Sequence, residues 1–376
     1  MGWMGQVHAR AYRQVPLRFP ELDATPRLII CSDNVASRAV AMKAQLDFEI
    51  ASTDWRAVID HPDVQIVNIA TPNNLHLEIA EAAARAGKHI FCEKPVGRYP
   101  AETARIHAAA TAAGVLTFVG FNYRWVPLVQ HARNLIQDGA LGEITHFRGR
   151  FFSMYGSDPL GLMSWRFDKD LAGLGALGDI MAHTVDMAHF IAGPIAHVTS
   201  TAHTFIKERP LPIPGQGTHY SRGKPDDPKG RVSNEDYAGA LVEFENGARG
   251  TLEVSRTIFG PKNQFAFEVN GTQGAIHWDF ERMNELQVYL PDERHDGFMR
   301  LVGGDQYPFH GRFNPGEGSG IGYEDLKIIE AYHFLKSVAE GQQAAPGFDD
   351  ILEVAKVHDA MMRSWDSGAW EAVRDL

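Results

Sequence analysis

The spacing of apolar residues predicts a regular alternation of strands and helices in the first third of the chain. Strands are predicted by short apolar runs at residues 28–32, 64–70, 89–92 and 116–120. Helices are predicted by apolar residues at helical spacing in segments 5–14, 36–45, 75–86 and 101–113. This alternation indicates an α/β fold, a Rossmann-type doubly wound parallel sheet with helices on both faces.

After residue 122 the pattern changes to the alternation of apolar and polar residues that is typical of antiparallel sheets. Strands are predicted at 143–153, 195–203, 236–243, 248–256, 264–270, 275–280 and 286–290, with a hairpin turn at Asn246-Gly247. Helices are predicted at 128–138, 323–340 and 349–365, and a long loop at 208–232. The chain thus divides into a doubly wound α/β domain, 1–122, and an α+β domain with a large open, mostly antiparallel sheet, 123–376.

Composition narrows the function classes. The net charge of the 376 residues is −11 and no basic stripe is present, which disfavours nucleic-acid binding. No apolar run approaches the ~20 residues of a membrane span, and the start lacks the pattern of a secretory signal. Both cysteines, Cys31 and Cys92, fall in predicted buried strands and are expected to be reduced thiols. We therefore expect a cytoplasmic protein that binds neither nucleic acid nor a membrane.

A charged pair and a proline, Glu93-Lys94-Pro95, directly follow the predicted strand at 89–92. Pro95 biases Lys94 toward an extended backbone, and the strand places its ammonium at the carboxyl end of the sheet. Open α/β sheets bind their ligands at that end. Taken alone the pair is weak evidence, because exposed Glu-Lys pairs are common and contribute little. Its position among other polar strand ends makes Lys94 a candidate for chemistry.

The chain opens with Gly2-Trp3-Met4-Gly5, which reads as the later part of a Gly-x-Gly-x-x-Gly dinucleotide turn. The first glycine and the strand that should precede it are missing from the sequence. We expect the natural protein to carry roughly six to ten more residues before Met1, about one strand ending in glycine. Asp33, at the end of the next predicted strand, suits the ribose hydroxyls and favours NAD. Arg38 lies a helical turn further on and leaves NADP possible.

A second group of polar residues, Asp179, His183 and Asp186, is spaced by four and then three positions. On a helix this spacing puts the three side chains on one face. An imidazole with a carboxylate one turn before it can take up a proton and stabilise the resulting charge. An ordinary helix-surface pair or a core histidine is the alternative. No convincing set of metal ligands accompanies the three, so no metal is predicted.

Several of these segments, in order, resemble the Gfo/Idh/MocA oxidoreductases, the relatives of glucose–fructose oxidoreductase and inositol dehydrogenase. The resemblance rests on the glycine turn with residues 8–12, on Thr71 to His76, on the segment from Ala86 to Pro95, and on Asp179 with His183. It extends over almost the whole chain. It implies an NAD(P)-binding Rossmann domain followed by a larger domain whose open sheet often forms the contact between subunits.

The resemblance also implies roles for individual residues. Lys94, Asp179 and His183 match the catalytic residues of the family. The implied cofactor-binding residues are Gly2, Trp3, Met4, Gly5, Asp33, Arg38, Thr71, Pro72, Asn73, His76, Glu93, Lys94, Asn122, Trp165 and Arg166. The implied substrate-binding residues are Lys94, Tyr123, Arg124, Trp165, Asp179 and His183. Met181 stands where many members have glycine, and as the better helix former it does not suggest lost function.

The activity expected from these residues is hydride transfer between NAD(P) and a secondary alcohol of a sugar, inositol or glycoside. In that reaction His183 would take the hydroxyl proton, and Lys94 would stabilise the alkoxide. Two alternatives share the fold: an NAD-dependent glycosidase without net redox, and an inactive dinucleotide-sensing regulator. The expected partners are a polyhydroxylated small molecule and further copies of the chain, as a homodimer or homotetramer through the C-terminal sheet.

Overall fold

A computed structural model describes residues 1–213, 220–292, 294 and 296–376. The elements of the first part are α1 (Trp3–Arg18), β1 (Ile30–Ser32), α2 (Ala36–Leu46), β2 (Ile50–Ser52), α3 (Arg56–Asp60), β3 (Ile66–Ile69), α4 (His76–Arg85), β4 (His89–Cys92), α5 (Pro100–Ala113) and β5 (Thr117–Val119). Every strand and helix predicted in this part is present. The short strand β2 and helix α3 were not predicted, because three and five residues are too few to show a period.

The parallel sheet of the first part is split in two. Strand β4 lies between β3 and β5, and β1 pairs with β2 in a separate parallel ladder. Among the described residues no ladder joins β1 to β3. The parallel Rossmann-type architecture is confirmed, and among the described residues β1 and β3 each have one edge without a ladder partner.

Helix α1 begins earlier than predicted. Gly2 is its N-cap residue, with φ −72°, and Met4 and Gly5 lie inside the first turn of the helix rather than in a turn before it. A Cβ atom on Gly5 would meet the Met1 side chain at 3.4 Å, an ordinary contact. The local structure therefore does not require glycine at position 5.

The second part contains helices α6 (Pro127–Gln137), α7 (Lys169–Ala172), α8 (Ala182–Ala192), α9 (Tyr323–Glu340) and α10 (Phe348–Ser367). Its strands are β6 (Ile144–Ser153), β7 (Ile195–His203), β8 (Glu208–Pro210), β9 (Lys229–Arg231), β10 (Tyr237–Phe244), β11 (Arg249–Ser255), β12 (Asn263–Gly271), β13 (Ala275–Asp279), β14 (Glu285–Tyr289), β15 (Met299–Val302) and β16 (Glu371–Ala372). The predicted long loop at 208–232 contains the short β8–β9 ladder, and its residues 214–219 lie outside the described part of the chain.

In the described part of the chain, nine strands form one sheet in the order β15-β14-β13-β12-β6-β11-β10-β7-β16. All of its ladders are antiparallel except that between β6 and β11, so the mostly antiparallel sheet is confirmed. Helix α8 packs directly on β6 at Gly149, where a Cβ atom would lie 2.6 Å from Thr184 Cγ2. This close approach requires glycine and brings α8 against the sheet.

The two parts share one hydrophobic core, which runs from β3 and β4 through α8 to the large sheet. Helix α9, although late in the chain, packs on α1, where the rings of Phe19 and Tyr332 stack with centroids 4.0 Å apart. A second cluster joins α1, β4 and β5 to α9. The boundary after residue 122 stays a prediction. Among the described residues no helix is long and apolar enough to cross a membrane.

Candidate active site

Lys94 follows β4, the middle strand of the three-stranded parallel ladder, and its ammonium points to the second part of the chain. Lys94 Nζ donates to the backbone oxygen of Asp179 and to Asp179 Oδ1, both at 2.9 Å. The end of β4 thus positions the backbone of Lys94, and Asp179, 85 positions later in the chain, holds its side chain. The structure thus joins the two motifs that the sequence shows separately.

Asp179 lies in a π-helical turn, Leu177–Met181, which continues into α8. The start of this turn is held by Glu235, whose backbone oxygen accepts from the Ala176 N–H and whose Oε1 accepts from the Leu177 N–H, both at 2.9 Å. A Cβ atom at Gly175 would lie 2.1 Å from the Glu235 backbone oxygen, so this approach needs glycine. The wide turn at Asp179 is therefore anchored from outside the helix. Single-turn π segments are frequent at functional sites.

The second carboxylate oxygen of Asp179 is also held. Tyr155 donates its hydroxyl to Asp179 Oδ2 at 2.9 Å. Burial raises the pKa of Asp179, but the charges of Lys94 and Arg166 and the hydrogen bonds from Lys94 and Tyr155 outweigh it, and the pKa lies below its usual range. Asp179 is therefore an anion at neutral pH, and it orients the Lys94 ammonium.

His183 lies one turn beyond Asp179, against a wall of aromatic rings. Its imidazole meets the ring of Tyr123 edge-on with centroids 4.8 Å apart, and Phe121, Phe151 and Phe265 complete the wall. Burial and the positive charge of Lys94 lower the pKa of His183 well below its usual value. The imidazole is therefore neutral near pH 7 and able to accept a proton.

The predicted stripe of Asp179, His183 and Asp186 is not a single cluster, which corrects that expectation. Asp186 faces Arg124, whose Nε lies 3.0 Å from Asp186 Oδ2, while Arg124 Nη1 donates to Asp350 at 2.9 Å. The π turn alters the angle between Asp179 and His183, whereas Asp186 lies in α8 together with His183 and is held by its own ion pair with Arg124. Arg124, expected to contact substrate, has all its guanidinium nitrogens engaged in this buried ion-pair network.

Asp33, a predicted cofactor-binding residue, directly follows the last residue of β1, as expected. Its Oδ1 accepts from the Val35 N–H at 2.8 Å, and its Oδ2 forms an ion pair with the Met1 ammonium. Burial raises the pKa of Asp33, but these two contacts and the charge of Arg38 bring it below the usual range. The exposed Arg38 thus lies near the carboxylate. The N-terminus of α1 has no side-chain cap, and the space beside Gly2 is open for at least 4 Å.

These features fit a bound dinucleotide. The uncapped first turn of α1 presents the free N–H groups that bind phosphate oxygens. Two predicted cofactor residues, Thr71 and Asn122, each carry a buried side-chain atom, Oγ1 and Nδ2 respectively, with no hydrogen-bond partner among the described residues. Buried polar atoms normally have partners, so these two have capacity left for a ligand. Pro72, next to Thr71, precedes a short 3₁₀ turn, Asn73–Leu75.

Other predicted cofactor residues hold the structure together. Asn73 donates to the Ala172 backbone oxygen at 2.9 Å, which links the first part to α7. The two ring nitrogens of His76 lie 2.9 Å and 3.0 Å from the backbone oxygens of Pro95 and Thr71, so this imidazole joins two strand-end loops. Glu93 is buried beneath Lys94, in contact with His8 and Lys327.

Four more predicted site residues lie at the margins of this region. Trp165 and Arg166 belong to the short 3₁₀ turn Trp165–Phe167, and the Arg166 guanidinium lies 4.4 Å from the centre of the Trp165 ring. Both are half-buried, and the charge of Arg166 acts on Asp179. Trp3 is exposed and stacks on Tyr323 at 5.4 Å, and Met4 contacts the hydroxyl of the same tyrosine.

The sequence analysis missed the residues that hold the loop of Trp165 and Arg166. Arg256 is fully buried and donates to the Arg166 backbone oxygen at 3.0 Å and to Asp236 Oδ1 at 2.9 Å. Its guanidinium and that of Arg209 lie 4.6 Å and 4.1 Å from the centre of the Phe167 ring. No short motif reveals such a cluster, because its members come from four segments that lie far apart in the chain. Tyr155 was missed for the same reason.

The fold and this site define a class: an NAD-binding Rossmann unit joined to a second unit, with a lysine, a carboxylate and a neutral histidine close together between them. Comparisons with known proteins agree. Residues 1–121 match the sequence model of the oxidoreductase family with the NAD-binding Rossmann fold, and residues 129–277 match that of the GFO/IDH/MocA C-terminal domain. The chain belongs to the Gfo/Idh/MocA family.

Individual relatives narrow the activity. Levoglucosan dehydrogenase of Pseudarthrobacter phenanthrenivorans is 40% identical over 378 residues, which cover 100% of this chain and 97% of that protein. Myo-inositol 2-dehydrogenase of Thermotoga maritima is 26% identical, with 93% of this chain and 90% of that protein covered. A solved structure of levoglucosan dehydrogenase in complex with NADH and levoglucosan has a TM-score of 0.93 at 38% identity, covering 100% and 97% of the two chains. The chain is accordingly an NAD-dependent dehydrogenase acting on CH–OH groups of sugars or polyols.

Proposed function

We propose that this enzyme oxidises a secondary hydroxyl of a rigid pyranose such as levoglucosan, with NAD as the oxidant. The observation that supports the chemistry is the neutral, buried His183 in the same cleft as the Lys94–Asp179 ion pair. The 40% identity to levoglucosan dehydrogenase over the whole chain supports the substrate class.

In this proposal the protein's residues divide the work between binding and proton transfer. Lys94, held by the backbone oxygen and Oδ1 of Asp179, donates to the reacting hydroxyl and stabilises the negative charge that develops on its oxygen. His183 accepts the hydroxyl proton, because its neutral ring already has an unprotonated nitrogen. Bound NAD would supply the hydride acceptor for the same carbon. Proton and hydride together account for the two hydrogens removed.

The walls of the cleft suit a sugar ring. Trp165 supplies an aromatic face for ring carbons and Arg166 a donor for hydroxyl oxygens, while Tyr155 and Asp179 add polar edges. The dinucleotide would contact the first turn of α1, Asp33, Thr71 and Asn122, since these offer free donors and acceptors.

A panel of levoglucosan, myo-inositol, glucose and a phenyl glycoside, each with NAD or NADP, tests the proposal by the formation of NADH or NADPH. We expect the highest kcat/KM with levoglucosan and NAD. A higher value with myo-inositol would overturn the substrate assignment and leave the dehydrogenase class intact. Release of reducing sugar from the glycoside without net NADH would instead indicate the glycosidase reaction.

We further propose that the enzyme is a cytoplasmic homodimer or homotetramer assembled through the large sheet. The support is the alternation of exposed and buried residues along its central strands, which leaves one face open to solvent. Leu241, on β10, is 52% exposed on this face between Thr199 and Thr251 of the neighbouring strands.

Light scattering after size-exclusion chromatography tests the assembly. Leu241→Arg is expected to shift the mass toward the monomer, because it places a charge at the centre of the interface. Leu17→Arg, at an exposed site on α1, is the matched control and should leave the mass unchanged. A wild-type protein that elutes as a monomer at micromolar concentration would contradict the proposal.

A further inference from the structure

A lysine that the reaction does not use lies beneath the active site. Lys327, on α9, is only 1% exposed. Its Nζ lies 2.8 Å from Glu93 Oε1 and 3.0 Å from Glu330 Oε2. A buried ammonium is costly unless it is paired and hydrogen-bonded, so this one is held in place by its two carboxylates.

The Glu93 carboxylate links Lys327 to two other parts of the enzyme. Its Oε1 also contacts His8 Nε2 at 2.8 Å, and His8 lies on α1, the helix whose first turn is the phosphate-binding candidate. Its Oε2 accepts from the backbone N–H of Lys94 at 3.3 Å. One carboxylate therefore connects the cofactor helix, α9 and the backbone of the active-site lysine.

The position of this carboxylate is tightly confined. A Cβ atom at Gly120, at the end of β5, would lie 2.7 Å from Glu93 Oε2. Glu93 thus fills the space that a side chain at position 120 would need, and it has no room to move toward β5. A change in the charge facing Glu93 must therefore be taken up by Lys327, by His8 or by the loop of Lys94.

We propose that Lys327 is a positioning residue for Lys94, acting through the Glu93 carboxylate that it shares with His8 of the cofactor helix. Lys327 neutralises Glu93, which leaves the Lys94 ammonium to Asp179 rather than to the adjacent carboxylate. Without Lys327, the Glu93 carboxylate would attract the Lys94 ammonium, or it would favour protonation of the neighbouring His8. Either change would disturb the ion pair that orients Lys94 in the cleft.

The electrostatics of the site support this role. The charged groups that act on His183 are Lys94 and Lys327, which lower its pKa, and Glu93 and Asp179, which raise it, in addition to the larger effect of burial. Loss of the Lys327 charge removes one of the two cations, so the pKa of His183 should rise. Around Lys327 itself, the charges of Glu330 and Glu93 raise its pKa against the effect of burial.

Three variants test the proposal. Lys327→Met removes the charge at similar length. Lys327→Met/Glu330→Leu removes the second carboxylate too, and should fold even where the single variant does not, because no unpaired carboxylate then remains on α9. Lys336→Met, at the exposed Lys336–Glu340 pair of the same helix, is the matched control for losing one positive charge.

The first measurement is independent of turnover. Histidine labelled with ¹³C at Cε1 is titrated by NMR, and the His183 signal is assigned by its loss in His183→Asn. We expect the His183 midpoint to move up by about half a pH unit or more in the Lys327 variants and to stay in place in Lys336→Met. NADH affinity, measured by fluorescence, should be retained by the control.

The second measurement rests on the proposed function. We expect kcat with levoglucosan to fall by about 10-fold to 100-fold in the Lys327 variants, as for a modest misplacement of a catalytic group. The acid limb of the kcat/KM profile should move to higher pH, since the base must lose its proton. A wild-type enzyme inactive on every sugar would overturn the proposed function, whereas an unchanged His183 midpoint in a folded Lys327 variant would overturn the role of Lys327 and leave the proposed function intact.

The proposal is overturned if a folded Lys327 variant, single or double, keeps the wild-type His183 midpoint and the wild-type kcat. A variant that loses kcat with an unchanged midpoint and the same pH profile would show a merely structural role and would also overturn it. A shifted midpoint together with a lowered kcat, absent in Lys336→Met, would establish it.

Discussion

At the scale of single residues, three buried histidines show how neighbours decide a role. His76 joins two loops through backbone oxygens, His8 contacts the Glu93 carboxylate, and His183 faces the cleft from a wall of aromatic rings. Burial lowers the pKa of all three. The charge of Lys94 also lowers the pKa of His183, so this imidazole lies near the Lys94–Asp179 pair.

The neutral state of His183 leads to a prediction on pH. Its pKa lies well below the usual value of about 6.5, so its base form persists below that pH and is lost only at lower pH. The acid limb of kcat/KM should therefore lie below pH 6.5. His183→Asn should lower kcat by about 10² to 10⁴-fold with little change in NADH affinity. His146→Asn, an exposed histidine on β6, is the control, and near-normal turnover of His183→Asn would refute the assignment.

Asp33 carries a prediction on cofactor choice. Its carboxylate can accept from ribose hydroxyls and repels a 2′-phosphate, so NAD should be preferred. Asp33→Ser should lower the NAD:NADP ratio of kcat/KM by about 10-fold or more, because a like-charge contact costs several kcal/mol. Asp23→Ser, at an exposed site outside the regular elements, should leave the ratio unchanged. A wild-type preference for NADP would contradict the role given to Asp33.

At the scale of elements, close approaches place the catalytic helix. Gly149 lets α8 contact β6, and Gly175 lets the π turn meet Glu235. The buried ion pairs of Arg124 with Asp186 on α8 and Asp350 on α10 add a third anchor. The helix that carries His183 is therefore fixed against the sheet, against the loop of Glu235 and against α10.

The third anchor can be separated from substrate binding. Arg124→Met leaves Asp186 buried without its cation and should lower the free energy of unfolding by about 3–5 kcal/mol. Below the unfolding transition, KM for the sugar should change by less than about threefold, because the arginine faces α8 and α10. Arg105→Met, an exposed arginine on α5, should cost less than about 1 kcal/mol. A large rise in KM without loss of stability would restore the substrate role first expected of Arg124.

At the scale of the whole molecule, the parallel sheet has a gap between β1 and β3. Backbone N–H and C=O groups on the two facing edges have no ladder partner there among the described residues. Unpaired backbone groups are costly when buried. The gap lies next to the first turn of α1, so the same region carries both the missing pairing and the candidate phosphate site.

We expect that a strand added to the same polypeptide before Met1 would pair with the open edges of β1 and β3. A fusion of roughly seven residues, an apolar strand ending in glycine, placed before Met1 should raise Tm and tighten NADH binding, because both edges gain partners and Asp33 loses the Met1 ammonium. A fusion of equal length made of Gly and Ser is the control. Equal Tm and NADH affinity for the two fusions would show that the gap does not limit the protein.

The sequence by itself determined most of the longer strands and helices, and where the chemistry-bearing residues fall on them. Strand 89–92 and helix 323–340 have the observed ends, and Lys94 lies at the strand end where it was expected. These features depend on local periodicity, which any stretch of chain carries in itself. The sequence also showed, by resemblance, the family to which the chain belongs.

The tertiary structure alone decided the partners of the charged residues. Lys94 pairs with Asp179 over 85 positions, Arg124 with Asp186 over 62, and Glu93 with Lys327 over 234. Such pairs form because a buried charge must find an opposite charge, and burial is set by the packing of distant elements. That physical requirement placed Arg124 in a buried ion-pair network and put Lys327 beneath Lys94, where no local pattern could reveal it.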